Sequence, residues 1–450
     1  MNAATTLRVE PSVIESAAPP DRRYGLYVVA LLAAATLLGN VDAGVLPVVA
    51  QKIQAEFSIT DTQIGLLISA FTIALALTTI PIGYLTDRRP RRIILGVGMA
   101  VWSVATLLSG FTRPFLQMFA ARAVTGIGEA TVVPVTTSLI GDQFSASSRG
   151  RAMGAVSAAI GLGQAVGIIG VGAVAVHFGW RWAFYIAGIP GLLLVPLFLT
   201  MREPLRGASE VQGPKVAVAP DAGLHALIRL FSIPSYAAAV SAAAFGAFGI
   251  GVIQFSLLYL NRRFGLDAAQ AAAVLGLPTL VGGTAGLALW GWLIDWRGRR
   301  SRRAPVEVGV AGPAVAAIAV ATMFSMPSVA GFVTALSVFT LSAGAAIIAP
   351  PLVLQRVIMP SLRASAAGAQ NMLAKLFGFA SGPLAVGVFS DLAGGDLGLS
   401  LRILAPAGFL AAAISFGLAL RHITRDSRSM EESWARKELA TMATLAGSAG

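Results

Sequence analysis

Arg122 and Glu129 are the first residues in this chain whose type and spacing point to chemistry. They stand seven positions apart in Arg122-Ala123-Val124-Thr125-Gly126-Ile127-Gly128-Glu129-Ala130, inside an apolar run from about 115 to 139. Such a run is long enough to cross a bilayer, which takes about 20 residues per helix. A charge in the middle of a spanning helix costs roughly 2.5–3.5 kcal/mol on insertion scales, so charges there are rare and mark function by default. Seven residues make nearly two turns, which puts both side chains on one side of the helix, roughly 10 Å apart along its axis. Gly126 and Gly128 remove side-chain bulk between them and let another helix or a ligand come close. A carboxylate and a guanidinium so placed can carry a proton and trade partners, or can form a plain ion pair between packed helices. The sequence leaves both readings open.

Few other polar groups fall inside apolar runs. Asp42 lies in the first run, at a depth comparable to Arg122, and Lys375 lies near the middle of the eleventh. A lysine that deep cannot easily reach the interface, which favours a cavity-facing role. Asn371 precedes it by four residues and shares its helical face. Gln164, Gln254 and Tyr259 offer hydrogen bonds to a ligand or to neighbouring helices. Arg356 sits at the end of a run and reads as a loop anchor. His177, His225 and His422 lie near or outside run ends, and the chain has neither an HExxH zinc motif nor a nucleotide P-loop. No cofactor and no metal is called for, and with no cysteine, disulfides and thiolate sites are excluded.

The elements that must position these groups are membrane helices. The chain is 56% hydrophobic and only 12% charged, with a mean hydropathy of +0.76. Soluble domains carry about 25% charged residues. About twelve spans are expected, at 26–48, 62–84, 93–111, 115–139, 150–175 and 181–201, then 234–260, 269–294, 305–326, 329–354, 364–389 and 400–420. The domain plan is a cytoplasmic N-terminal segment 1–25, a six-helix bundle 26–201, a polar cytoplasmic linker 202–232, a second bundle 233–421 and a cytoplasmic tail 422–450, with a short surface helix possible around 433–446. The net charge of +12 reports loop arginines rather than nucleic-acid binding. Arg88, Arg89, Arg91, Arg92, Arg149, Arg151, Arg297, Arg299, Arg300, Arg302 and Arg303 share one side with both termini. The other side holds mainly Lys52, Arg113, Arg181, Arg262 and Arg263. The positive-inside rule then puts both termini in the cytoplasm, and a bacterial inner (plasma) membrane is the expected location.

The two halves repeat. Gly83-Tyr84-Leu85-Thr86-Asp87-Arg88-Arg89-Pro90-Arg91-Arg92 returns 208 residues later as Gly291-Trp292-Leu293-Ile294-Asp295-Trp296-Arg297-Gly298-Arg299-Arg300. Gly83 and Gly291 suit tight packing at a helix end. Asp87 and Asp295 suit caps or pairs with basic residues. Together with Arg88, Arg91, Arg297 and Arg299 they read as a gate whose bonds break when the halves rock. Six-helix repeats about an axis along the membrane normal are a transporter architecture, with the site between the halves.

The duplicated loops resemble the signature of the major facilitator superfamily, over about residues 25–421, with Pro90 in place of the usual glycine in the first copy. Arg122-x-x-x-Gly126-x-Gly128 resembles that superfamily's fourth-helix motif associated with proton coupling. Within the superfamily the chain is most similar to the spinster-like family. The residues that carry this are Gly126-Ile127-Gly128-Glu129-Ala130, Gly179-Trp180-Arg181-Trp182-Ala183-Phe184 with Gly188-Ile189-Pro190-Gly191, and Arg202-Glu203-Pro204-Leu205-Arg206-Gly207. Where that family usually has Asp-Arg in its first helix, this chain has Asp42-Ala43. The resemblance implies an all-α fold of two six-helix bundles and an activity in transport, not enzymatic catalysis.

The expected function is a proton-coupled secondary active transporter that exports an amphipathic or lipid-like molecule (lysolipid, sphingoid or drug-like) by alternating access, as a monomer. Glu129 and Asp42 are the proton-carrier candidates, with Arg122 as switch partner. Arg122, Lys375, Asn371, Gln164, Gln254 and Tyr259 are the substrate-binding candidates. The competing readings are a proton-linked uptake symporter for an organic anion, a channel, a non-transporting receptor and an intramembrane enzyme.

Overall fold

Twelve helices in the computed structural model are long and apolar enough to cross a membrane. The structure describes residues 22–204, 228–359 and 362–448. Spans 1–6 are Arg23–Phe57, Asp61–Thr86, Arg91–Ser109, Phe115–Gln143, Ser148–His177 and Trp180–Leu199. Spans 7–12 are Pro234–Phe264, Ala268–Gly298, Ala304–Met323, Val329–Val357, Ser365–Leu392 and Leu397–Arg436. Most of the expected linker (205–227) and of the N-terminal segment (1–21) lies outside the described residues. Large apolar side chains such as Leu116, Leu193 and Ile318 are exposed, as befits helices whose solvent is lipid.

Two expected boundaries move. Span 1 runs to Phe57 rather than 48, and the last helix continues unbroken from Leu397 to Ser448. Tertiary bonds explain both. Beyond 48, Lys52 donates to the Ala175 carbonyl, and Glu56 accepts from Trp180 and Arg181, so the helix end is held against spans 5 and 6. Beyond 420, Asp426 accepts from the Ser235 N–H at the start of span 7, and Arg302 pairs with Glu431.

The repeat seen in the signature loops extends to the helix starts. Thr60 and Gln63 close a capping box at the start of span 2, and Asp267 and Gln270 do the same for span 8. Each box satisfies two of the N–H groups that a helix start leaves free.

The start of span 1, the end of span 12 and the arginine-rich loops lie at one end of the bundle, here the basic end. The halves are drawn together at the opposite end, backbone to backbone. A Cβ on Gly65 of span 2 would overlap the Pro383 carbonyl of span 11, and one on Gly172 of span 5 would meet Ala268 and Ala272 of span 8. Ser69 Oγ donates to the Ala380 carbonyl at 2.6 Å across the same seam.

At the basic end the structure corrects the reading of Arg91. It is fully buried inside the first half, where it pairs with Asp142 and, at 2.7 Å, with Glu203. Its other donors reach Ser138 Oγ and the Pro204 carbonyl. Glu203 also accepts from the backbone N–H groups of Arg91 and Arg92, so it caps span 3, whose Pro90 cannot. The Arg91 side chain thus anchors the first half internally, and its bonds here do not cross to the second half. Gly83 differs too: a Cβ there would meet nothing within 4 Å, and one on Gly291 would meet only Ile348. The expected tight packing at these glycines is absent because the halves close at the other end. Arg88 lies over the Tyr84 ring, and Arg297 pairs with Glu307 inside the second half. Asp295 and Arg299 are exposed.

Burial opposes the Glu203 charge, but the Arg91 guanidinium and the two backbone N–H groups outweigh it and hold the carboxyl below the usual carboxylate range. A lowered value in the folded state stabilises above the unfolded value, about 4.3, and that stabilisation is lost as pH falls through the folded value. Glu203→Gln should therefore melt below wild type at pH 7, with the gap closing under acid conditions below about pH 4. Arg91→Ala strands two carboxylates and should cost more, about 3–5 kcal/mol. Thermal melts of both variants at pH 7 and under acid conditions check this. A pH-independent gap for Glu203→Gln would remove the assigned role.

Candidate functional site

The site begins with the break in span 4. Its two helical segments are Phe115–Glu129 and Val132–Gln143. Pro134 accounts for the break, because it has no N–H to offer the carbonyl four residues earlier and its ring crowds that carbonyl. Glu129 thus closes the first segment. Gly126 and Gly128 allow the approach expected of them: a Cβ on Gly126 would overlap the Phe71 carbonyl of span 2, and one on Gly128 would meet the backbone of Gly98 and Trp102 in span 3. These contacts turn the Arg122–Glu129 face toward span 1.

Arg122 and Asp42 meet there as a buried, two-pronged ion pair. Nη1 and Nη2 both lie 3.1 Å from Asp42 Oδ2, and the two residues are 2% and 0% exposed. Thr106 of span 3 donates to Asp42 Oδ1 at 3.0 Å. The Arg122 guanidinium also lies 5.1 Å from the centre of the Phe71 ring. Asn40, by contrast, only bonds its own helix at the Thr36 carbonyl.

Glu129 is not part of that pair. Its carboxylate rests against Gly39, one turn before Asp42, where a Cβ would come within 3.0 Å of Oε1. Among the described residues, the buried Oε2 has no hydrogen-bond partner, and Arg122 Nε is likewise unpaired. A buried polar atom without a partner carries a cost of about 1–3 kcal/mol, more when charged. Glu129 lies within electrostatic reach of Asp42, Arg122 and, from the second half, Lys375.

Lys375 stands in a six-residue π-helical stretch, Ala374–Phe379, and is exposed although it is mid-span. Pro383 lies four residues beyond Phe379, so an α-helical bond to that carbonyl is impossible and the preceding turn widens. Gly378 and Gly382 then seat the widened turn against the span 7 backbone at Ala244 and Phe248. Wide turns of this kind recur at functional sites. Lys375 makes no ion pair among the described residues.

The remaining candidates divide. Asn371 and Gln164 are exposed and make no side-chain hydrogen bond among the described residues. Gln254 sits where span 7 breaks between Ile253 and Ser256, with a buried, unpaired Nε2. Tyr259 is a correction. It is buried at the opposite end, donates to the Phe324 carbonyl and packs on Phe324 and Phe332, because its ring belongs to the second half's apolar core. Sequence reasoning missed Thr106, which nothing in its local pattern singles out. It also missed the cluster that ties the halves together. Arg262 pairs with Asp61 at 2.5 Å, and Ser390 Oγ and Gln54 Nε2 also donate to Asp61. Asp391 accepts from the N–H groups of Asp61 and Thr62.

Comparison with known proteins adds the lineage. The Major Facilitator Superfamily pattern matches residues 31–383. Protein spinster of Drosophila melanogaster is 28% identical over 399 residues, which cover 85% of this chain and 65% of that one. The chain thus spans just under two-thirds of that relative's length. A sphingosine-1-phosphate transporter of Danio rerio is 28% identical over 389 residues, covering 82% and 77%. The crystal structure of a bacterial homologue of the human lysosomal transporter spinster, inward-facing and unoccupied, superposes with a TM-score of 0.79 at 24% identity, covering 92% and 98%.

Proposed function

The chain belongs to the Major Facilitator Superfamily, in its spinster-like branch, and is a transporter rather than an enzyme; from that premise we propose that it exports an amphipathic or lipid-like molecule in exchange for protons, by alternating access. One observation carries the proposal: Glu129 keeps a buried oxygen without a donor, beside an Arg122 already engaged by Asp42. An ionised carboxylate in that position is costly, and a proton removes the cost. With Glu129 neutral, Arg122 rests on Asp42. With Glu129 charged, Arg122 is drawn toward it and the Asp42 bond weakens. The two arrangements favour different states of the carrier, and a ligand or proton can shift such an equilibrium only by that difference.

In this reading both termini are cytoplasmic, the closed end is the outer one, and the membrane is a bacterial inner membrane. Substrate enters from the cytoplasm to a cavity presenting Lys375, Asn371, Gln254 and Gln164, where Lys375 meets an anionic headgroup. Asp87, Asp295, Arg88, Arg297 and Arg299 form the cytoplasmic gate of the opposite state. The names of the relatives fit an amphipathic substrate. The exposed, unpaired Lys375 equally suits proton-linked uptake of a small organic anion, and the direction of flux separates the two.

Proteoliposomes with an imposed pH gradient and a panel of lysolipids, sphingoid bases, drugs and organic anions test the reading. Export predicts that an amphiphile moves against the proton flux and that collapsing the gradient stops its accumulation. Co-movement of protons and a small anion would replace export with uptake. Transport of every accepted compound without regard to pH would sink the proton coupling.

A further inference from the structure

The second half carries a pocket that the transport cycle above does not use. It lies at the opposite end, where the last turns of span 7, the loops after spans 9 and 11 and the start of span 12 converge, and has a volume of about 260 Å³. Arg262, Arg263 and Arg402 line it against a single acidic residue, Asp396, while Tyr259 and Phe324 supply apolar surface. Asp396 spends Oδ1 on the Leu399 N–H, capping span 12, so one carboxylate stands against three arginines. Arg402 spends only Nε on the Gly398 carbonyl, which leaves the forked end of its guanidinium for a ligand. Arg263 lies within hydrogen-bonding reach of the Tyr259 hydroxyl and Arg402 within its electrostatic reach, and neither arginine forms an ion pair among the described residues. Arg262 belongs to the pocket and to the inter-half cluster at once, since it holds Asp61.

We propose that this pocket is a binding site for the anionic headgroup, of the phosphate or carboxylate class, of an amphiphile at the outer face, and that its occupant competes with Asp61 for Arg262. Three guanidinium groups around one cavity with a single carboxylate, Asp396, leave a net positive charge that an anion would offset. Guanidinium also matches carboxylate and phosphate oxygens two at a time. The apolar lining beside the arginines, where Met326 is only half-buried, takes the first carbons of a chain, which a small inorganic anion would leave bare. An anion that draws on Arg262 removes a donor from buried Asp61, so binding here loosens the closed end. The site therefore links an anion outside to opening on that side, without requiring that Glu129 carry protons.

The test uses full-length protein in nanodiscs of neutral lipid, titrated calorimetrically with dodecyl phosphate, with inorganic phosphate and with uncharged dodecyl maltoside. A Lys375→Ala background removes the central cation, so that the remaining anion binding reports the outer pocket. In that background, dodecyl phosphate should bind, and Arg263→Ala with Arg402→Ala should weaken it at least tenfold. Arg263→Lys with Arg402→Lys keeps the charge and should retain most of the affinity, which separates loss of the site from loss of fold. Tighter binding of dodecyl phosphate than of inorganic phosphate identifies the amphiphile as the source, and equal binding identifies the free anion. Unchanged affinity in the double alanine protein, or equal binding of dodecyl maltoside, overturns the proposal. Because this readout is equilibrium binding, it stands or falls apart from proton-driven transport.

Discussion

Glu129→Gln protein should bind substrate as wild type does and lose accumulation driven by a pH gradient. The glutamine is a fixed copy of the protonated acid, so Arg122 stays with Asp42 whatever the pH, and the cycle has no titrating step. Uptake or efflux in proteoliposomes should fall to the level seen without a gradient, while binding changes by less than about threefold, under 0.7 kcal/mol. Arg122→Ala should lose both activities. It strands Asp42, which is 0% exposed, and leaving one member of a buried pair costs about 3–5 kcal/mol. Folding must therefore be checked, and Asp42→Asn combined with Arg122→Ala supplies the control. Removing both charges should restore the melting temperature but not transport. If Glu129 is merely structural, Glu129→Gln instead lowers stability and expression. A well-folded Glu129→Gln protein that still concentrates substrate with normal pH dependence would take Glu129 out of the mechanism.

The sequence made the spans legible because length and hydropathy are local properties. The repeat was legible because two ten-residue loops share a pattern. Arg122, Glu129 and Asp42 stood out because charge inside an apolar run needs no neighbour to be noticed. What remained hidden needed the third dimension. Arg91 is one of four arginines in five residues, and nothing local says that it alone is buried between Asp142 and Glu203. Several residues that carried the family resemblance turned out to be ties. Trp180 and Arg181 hold Glu56, Gly179 has a φ of 91° that suits glycine, and Glu203 caps span 3. Nothing local in span 7 tells whether the Tyr259 hydroxyl serves a ligand or a neighbouring segment, and its acceptor, the Phe324 carbonyl, lies 65 residues away. Asp61 follows the capping Thr60 in the first turn of span 2, and nothing local marks it out, because its partners in the second half lie 201 and 329 residues away in the chain.

Those distant partners lead to the second large effect. The cluster around Asp61 joins span 2 to spans 7 and 11, and its bonds cannot survive separation of the halves at this end. Asp61 is 3% exposed and accepts from Arg262, Gln54 and Ser390, while Asp391 caps span 2 from across the seam. Arg262→Ala leaves a buried carboxylate without its cation, and truncating one partner of such a pair costs about 2–5 kcal/mol. That cost falls on the closed arrangement alone, because in the open one Asp61 meets water. The ratio of closed to open should therefore drop by about thirtyfold or more, at 1.4 kcal/mol per factor of ten. The chain has no cysteine, so spin labels at Phe111→Cys and Leu392→Cys, both exposed at this end, report the gap directly. The distance distribution should lengthen in Arg262→Ala. Asp61→Asn should lengthen it less, since the amide keeps an acceptor for Arg262 and Ser390 and buries no charge. The Asp61→Asn and Arg262→Ala double variant should resemble Asp61→Asn more than Arg262→Ala, because the stranded charge is gone. An unchanged distribution in Arg262→Ala would mean that the glycine-mediated backbone contacts at Gly65 and Gly172 hold this end shut without help from the ion pair.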